Sequence, residues 1–97
     1  MNINDTLKER EGRYGSFGTF SMISQDLKKI TGYYIDRQQC NLSDPHKEAI
    51  DMILHKLSRI INGDPHYKDN WHDIAGYAKL AEDECIDIKE GVSNSSG

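Results

Sequence analysis

Most of the side chains able to bind or transform a ligand lie between Leu42 and Leu80. Glu48, Asp51, His55 and Arg59 recur at steps of three and four residues, with Lys56 beside them. On a helix that spacing stacks them one turn above another along a single face. Asp69, Asp73 and Tyr77 form a second four-spaced line. Two adjacent helices carrying these lines would bring carboxylates, cations, a histidine and a phenol into one cleft. Such a set suits a phosphate-bearing ligand held with a divalent metal. Glu48, Asp51 and Asp73 are hard oxygen donors of the kind that bind Mg²⁺ together with substrate phosphates. Arg59 can grip a phosphate as a bidentate fork and Lys56 as a point charge. The same spacing also describes ordinary pairs on a solvated helix face, such as Asp51 with His55, and Asp73 in a first turn also suits the helix dipole.

The elements that must position these groups are legible around them. Ser43-Asp44-Pro45 reads as a helix start, with a capping side chain and a proline where no hydrogen bond is lost. Ile50, Ile53, Leu54, Leu57, Ile60 and Ile61 then give one apolar stripe. Asn62-Gly63 ends the helix, the glycine being able to adopt the left-handed cap conformation, and Asp64-Pro65 prevents continuation. A second helix is predicted from Lys68 or Asp69, with Trp71, Ile74, Ala75 and Ala78 as its apolar stripe; at that place Trp71 reads as core or as a stacking platform. A short corner favours antiparallel packing of the pair.

Upstream, Asp5 to Arg10 predicts a short polar helix capped by Asn4 or Asp5. The loop Arg13-Tyr14-Gly15-Ser16-Phe17-Gly18 could bring Arg13 to a phosphate and Tyr14 or Phe17 to a base, or could simply turn the chain over an aromatic pair. A further amphipathic helix opens at Thr19 or Ser21, carries Phe20, Ile23, Leu27 and Ile30, and closes at Gly32. Tyr33 to Ile35 reads as a short extended piece, followed by a polar linker to Asn41. Residues 1–90 form one all-α domain, a small bundle built on the helix hairpin, and residues 91–97 a polar, disordered tail.

The chain has 97 residues, of which 36% are hydrophobic, and its mean hydropathy is -0.74. So small a core makes self-association into a homo-oligomer an expected way to bury more apolar surface. A net charge of -4 argues against a general nucleic-acid binder. Cys40 and Cys85 lack metal-type spacing and read as free thiols of a reducing compartment, with a disulfide between them as the alternative. No apolar run is long enough to cross a bilayer and no signal peptide opens the chain, so a cytoplasmic protein without membrane contact is expected.

The run from Glu48 through His55-Lys56, Arg59-Ile60 and Asn62-Gly63-Asp64-Pro65 to Asp69-Asn70-Trp71 and Gly76-Tyr77-Ala78 resembles a family of small tailed-phage proteins of unassigned function. Arg13-Tyr14-Gly15-Ser16-Phe17 is similar to that family's RYGxF element. The resemblance implies a protein of an infected bacterial host's cytoplasm. More distantly, Glu48-x-x-Asp51 and Asp69-x-x-x-Asp73 on consecutive helices resemble the acidic motifs of MazG-type all-α nucleoside triphosphate pyrophosphohydrolases. That likeness implies Mg²⁺-dependent hydrolysis by Glu48, Asp51 and Asp73 in a dimer or tetramer. The doubled glutamate of that pattern is missing here, and His55 and Lys56 stand where acids are expected.

Three functions follow as expectations. One is a Mg²⁺-dependent nucleotide pyrophosphohydrolase, with Trp71 or Tyr14 against the base. Another is a nucleotide or nucleotide-signal binder without turnover, relying on Lys56, Arg59 and Arg13. The last is a phage inhibitor that binds a host enzyme or defence complex.

Overall fold

A computed structural model describes residues 2–86, and in them the chain is all-helical. The helices are α1 (Ile3–Tyr14), α2 (Phe17–Arg37), α3 (Asp44–Asn62) and α4 (Lys68–Asp83). Helix α3 is central. It packs on α4 along one side and on α2 along the other, and α1 touches both α2 and α3. The expected tail at 91–97 lies outside the described residues.

Helix α3 spans the predicted stretch, but its ends are made differently from the expectation. Ser43 has extended backbone and no capping hydrogen bond. Its hydroxyl lies 2.7 Å from His46 Nδ1, while His46 Nε2 reaches the Ala81 carbonyl of α4 at 2.9 Å. A carbonyl only accepts, so Nε2 carries the proton and Nδ1 accepts from the serine. His46 thereby ties the start of α3 to the last turns of α4. At the other end Gly63 has φ -130°, not the left-handed value expected of it. Glycine is needed there for space: a Cβ would overlap the Arg13 carbonyl and come within 2.5 Å of Tyr14 Cα.

That overlap marks a clasp between the α1–α2 corner and the α3–α4 corner. Asn62 Nδ2 donates to the carbonyls of Tyr14 at 2.8 Å and Ser16 at 3.0 Å, and the Asp64 amide donates to the Arg13 carbonyl at 2.8 Å. Gly15 sits within it at φ +77°, and a Cβ there would overlap Asn62. The Arg-Tyr-Gly and Asn-Gly-Asp-Pro segments are two halves of one joint.

Helix α2 is longer than predicted at both ends. Ser16 accepts the Thr19 amide at 3.2 Å, so the helix opens at Phe17. It runs through Gly32 and makes Tyr33 to Ile35 helical rather than extended. A Cβ at Gly32 would meet nothing within 4 Å, and a helical glycine costs only about 1 kcal/mol. The helix ends in a Schellman turn: Gln39 has φ 51°, its amide donates to Asp36, and the Cys40 amide reaches the Ile35 carbonyl at 2.9 Å. Helix α1 likewise runs beyond Gly12 to Tyr14, and its cap is Asn2, whose side chain accepts the Asp5 amide at 3.0 Å.

The interior is small. Among the described residues only Phe20, Ala49 and Ile60 are buried hydrophobics, joined by Ser24, Ser58 and Asn70. Ser58 returns its hydroxyl to the Leu54 carbonyl at 2.8 Å, which removes a polar cost at a tight helix contact. On α4 the buried side is turned from the expected stripe. Asn70 is buried and Ile74 half-buried, whereas Ala75 and Ala78 are exposed and Trp71 is 52% exposed. The Trp71 indole N–H donates to the Pro65 carbonyl at 2.8 Å, and that bond holds the ring over the corner rather than in the core.

Candidate functional site

A concavity lies where α1, the α1–α2 corner, α2 and α3 meet. It has a volume of about 370 Å³ and is lined by Leu7, Arg10, Tyr14, Gly15, Phe17, Phe20, His55 and Arg59. Each wall has a local cause. Leu7, Arg10 and Tyr14 are three and four residues apart, so α1 presents them on one face. Ser16 starts α2 in the register that sets Phe17 at the rim and buries Phe20. His55 and Arg59 are one turn apart on α3.

Arg59 is fixed by aromatic faces rather than by acids. Its guanidinium carbon lies 4.3 Å from the centre of the Tyr14 ring and 5.7 Å from that of Phe20. Arg10 approaches the Tyr14 ring at 5.7 Å. Neither arginine takes part in an ion pair among the described residues, and none of the described residues lining the cavity is acidic. His55 meets the Phe20 ring edge-on at 4.9 Å. Burial, then the charges of Arg59, Lys28 and Lys56, hold its imidazole below the ordinary histidine range, which keeps it neutral at pH 7. Stacking a guanidinium on an aromatic face leaves its N–H edge available to an anion.

Arg13 and Tyr14 diverge. Tyr14 lines the cavity, while Arg13 turns outward to Tyr67, donating to its hydroxyl at 3.3 Å and standing 5.0 Å from its ring centre. Glu9 also holds Arg13, at 3.4 Å. Asp69 accepts the Tyr67 hydroxyl at 3.0 Å, and that bond is the main reason the phenol is raised above its usual range. Arg13, Tyr67 and Asp69 thus form a polar chain from the end of α1 to the start of α4.

The acidic cluster expected between α3 and α4 is not gathered. Asp73 faces α3, where Lys56 meets its carboxylate at 2.8 Å; Lys56 is the first cause of the lowered Asp73 pKa. Glu48 and Asp51 are exposed on α3. Among the described residues no three His, Cys, Asp or Glu side chains form a group able to hold a metal ion. The donor set therefore does not fit a Mg²⁺ cage of Glu48, Asp51 and Asp73, and Lys56 is paired with Asp73. Tyr77 lines a shallow hollow on α4 with Asp73, Gly76 and Leu80. Trp71 sits at the α3–α4 corner, outside the cavity lining. Cys40 and Cys85 are free and exposed.

Leu7, Arg10 and Tyr67 escape the sequence reading. The first two carried a signal, since their spacing to Tyr14 becomes one face once the helix is continued across Gly12. Tyr67 had none beyond being an aromatic residue next to a helix start.

Among the described residues no helix is long and apolar enough to cross a membrane. No curated protein and no solved structure matches the chain. The sequence profile of one protein family, described as a domain of unknown function, matches residues 4–85, and that span takes in both halves of the corner clasp and every residue of the cavity lining. The chain belongs to this family, DUF6378.

Proposed function

We propose that the protein binds a phosphate-bearing aromatic small molecule, with nucleotides as the chemical class, in the cavity between α1, α2 and α3. The observation that carries this reading is Arg59: a guanidinium stacked on Tyr14 and Phe20 in a cavity that a second arginine also lines, with no carboxylate paired to it and no acid in the lining among the described residues. Arg59 takes the phosphate through its N–H edge, and Arg10 adds charge from α1. Phe17, 78% exposed at the rim, and Leu7 offer apolar surface to a base. The cavity volume falls within the usual small-molecule range of about 300–1,000 Å³. Positive charge comes from side chains, so affinity does not depend on a metal. This favours binding without turnover over the Mg²⁺-dependent pyrophosphohydrolase. The resemblance to tailed-phage proteins supports a setting in an infected bacterial cell.

Titration calorimetry with adenosine and guanosine mono-, di- and triphosphates, with EDTA or with Mg²⁺, tests the reading. Binding should survive EDTA with no product formed. Losing a charge-assisted hydrogen bond costs about 1.5–3 kcal/mol, so Arg59→Leu should weaken binding at least about tenfold. Metal-dependent pyrophosphate release that disappears in Asp51→Asn or Asp73→Asn would instead establish the hydrolase. A folded protein that binds no nucleotide would sink both and leave inhibition of a host protein as the reading.

A further inference from the structure

On α2, Met22, Asp26, Lys29 and Tyr33 follow one another at steps of four, three and four residues, a spacing that lays them in one straight stripe. All four are exposed, Met22 at 67% and Tyr33 at 55%. Phe20 and Ser24, which are buried, and the half-buried Leu27 lie on the opposite side of the helix. Asp26 and Lys29 take part in no ion pair among the described residues. The stripe is thus apolar at both ends and oppositely charged in the middle, and the helix that carries it uses its other side to pack on α3.

We propose that this stripe is the contact face of a homodimer in which two α2 helices pack antiparallel about a two-fold axis between residues 27 and 28. Read backwards, the pattern is its own complement. At that one register Met22 lies against the partner's Tyr33 and Asp26 against the partner's Lys29, and the symmetry repeats both pairs across the axis. A thioether on an aromatic edge and an opposite-charge pair are each favourable. Parallel pairing would instead set Asp26 on the partner's Asp26 and Lys29 on the partner's Lys29, which like-charge repulsion disfavours. This self-complementarity selects a second copy of the chain over an unrelated partner, because each chain supplies what the other needs. The few buried hydrophobics add a reason for a second copy to cover Met22 and Tyr33. The stripe is only about 17 Å long at the rise of a helix, so the dimer should be weak and sensitive to concentration and salt.

Sedimentation velocity on the full chain in low salt, over a wide range of concentrations, provides the test. The wild type should pass from monomer to dimer. Asp26→Lys and Lys29→Asp should each weaken dimerisation at least about tenfold, with unchanged helical circular dichroism because both sites are exposed. Mixing these two variants should give heterodimers, since each then faces the opposite charge, and the double exchange D26K/K29D should restore the homodimer. Single variants that dimerise like the wild type would overturn the proposal. So would a mixture and double variant that stay monomeric, or a wild type that is monomeric throughout.

Discussion

His55 occupies the wall of an arginine-lined cavity, and on the proposed reading its ionisation couples stability to anion binding there. Burial and the cations Arg59, Lys28 and Lys56 lower its pKa in the folded chain, whereas in the unfolded chain it titrates near about 6.5. Below that value the unfolded state binds the proton first. The histidine's contribution to stability is therefore complete above about pH 6.5 and is lost as pH falls towards the lowered folded pKa. Urea denaturation at neutral and mildly acid pH should show the wild type losing stability on the acid side, and His55→Gln should lose less. A bound phosphate changes the sign of the local field. With ligand present the His55 pKa should rise, and affinity should increase as pH falls through the histidine range; an affinity unchanged by pH would place the anion elsewhere. Of the residues expected at the site, Tyr14, Phe17, His55 and Arg59 meet at the cavity. Spacing put Asp51, His55 and Arg59 on one line, but it could not say that Asp51 stays exposed while His55 and Arg59 turn to α2 and α1.

At the scale of elements, the cavity depends on the joint between the two corners. Asn62→Ala removes two hydrogen bonds to carbonyls of the α1–α2 corner and should cost about 1–3 kcal/mol in chemical denaturation. Gly15→Ala combines left-handed backbone with overlap on Asn62, and should cost at least about 2 kcal/mol. Both variants should also weaken nucleotide binding, because Tyr14 and Arg59 are held on opposite sides of this joint. At the far end of α2, Gln39 takes the left-handed turn without being glycine. Gln39→Gly should raise stability by about 0.5–1 kcal/mol, relief of the left-handed strain exceeding the added freedom of the unfolded chain. The bounds of α3 were legible because capping and breaking residues flank it on both sides. Those of α1 and α2 were not: Gly32 reads as a stop and the polar segment after Arg10 gives no helical signal, yet both helices continue through a glycine at a cost of only about 1 kcal/mol each. A glycine that ends a helix and one merely carried within it look alike until neighbours are known. Gly63 shows the same limit, being required by the approach of Arg13 and Tyr14 from a distant corner.

For the whole molecule, the all-helical fold followed from periodicity, while the distribution of charge between sites did not. The chain carries a net charge of -4, yet its cavity gathers Arg10, Arg59 and His55 with no acid among the described lining residues. Net charge describes the average surface, and a ligand meets the local one. The apolar stripe expected on α4 was displaced for a related reason: Trp71 gains its partner from the Pro65 carbonyl, a local bond that periodicity does not register. With a small interior and a cavity where three helices meet, the proposed ligand binding and bundle stability depend on one arrangement. The most direct test is amide and side-chain chemical-shift mapping of the full chain as nucleotide is added, once in EDTA and once in Mg²⁺. Saturable shifts centred on Arg10, Tyr14, Phe17, Phe20, His55 and Arg59, and absent in folded Arg59→Leu, are the predicted result. Shifts centred instead on Glu48, Asp51 and Asp73 and requiring Mg²⁺, or no shifts at all, would contradict it.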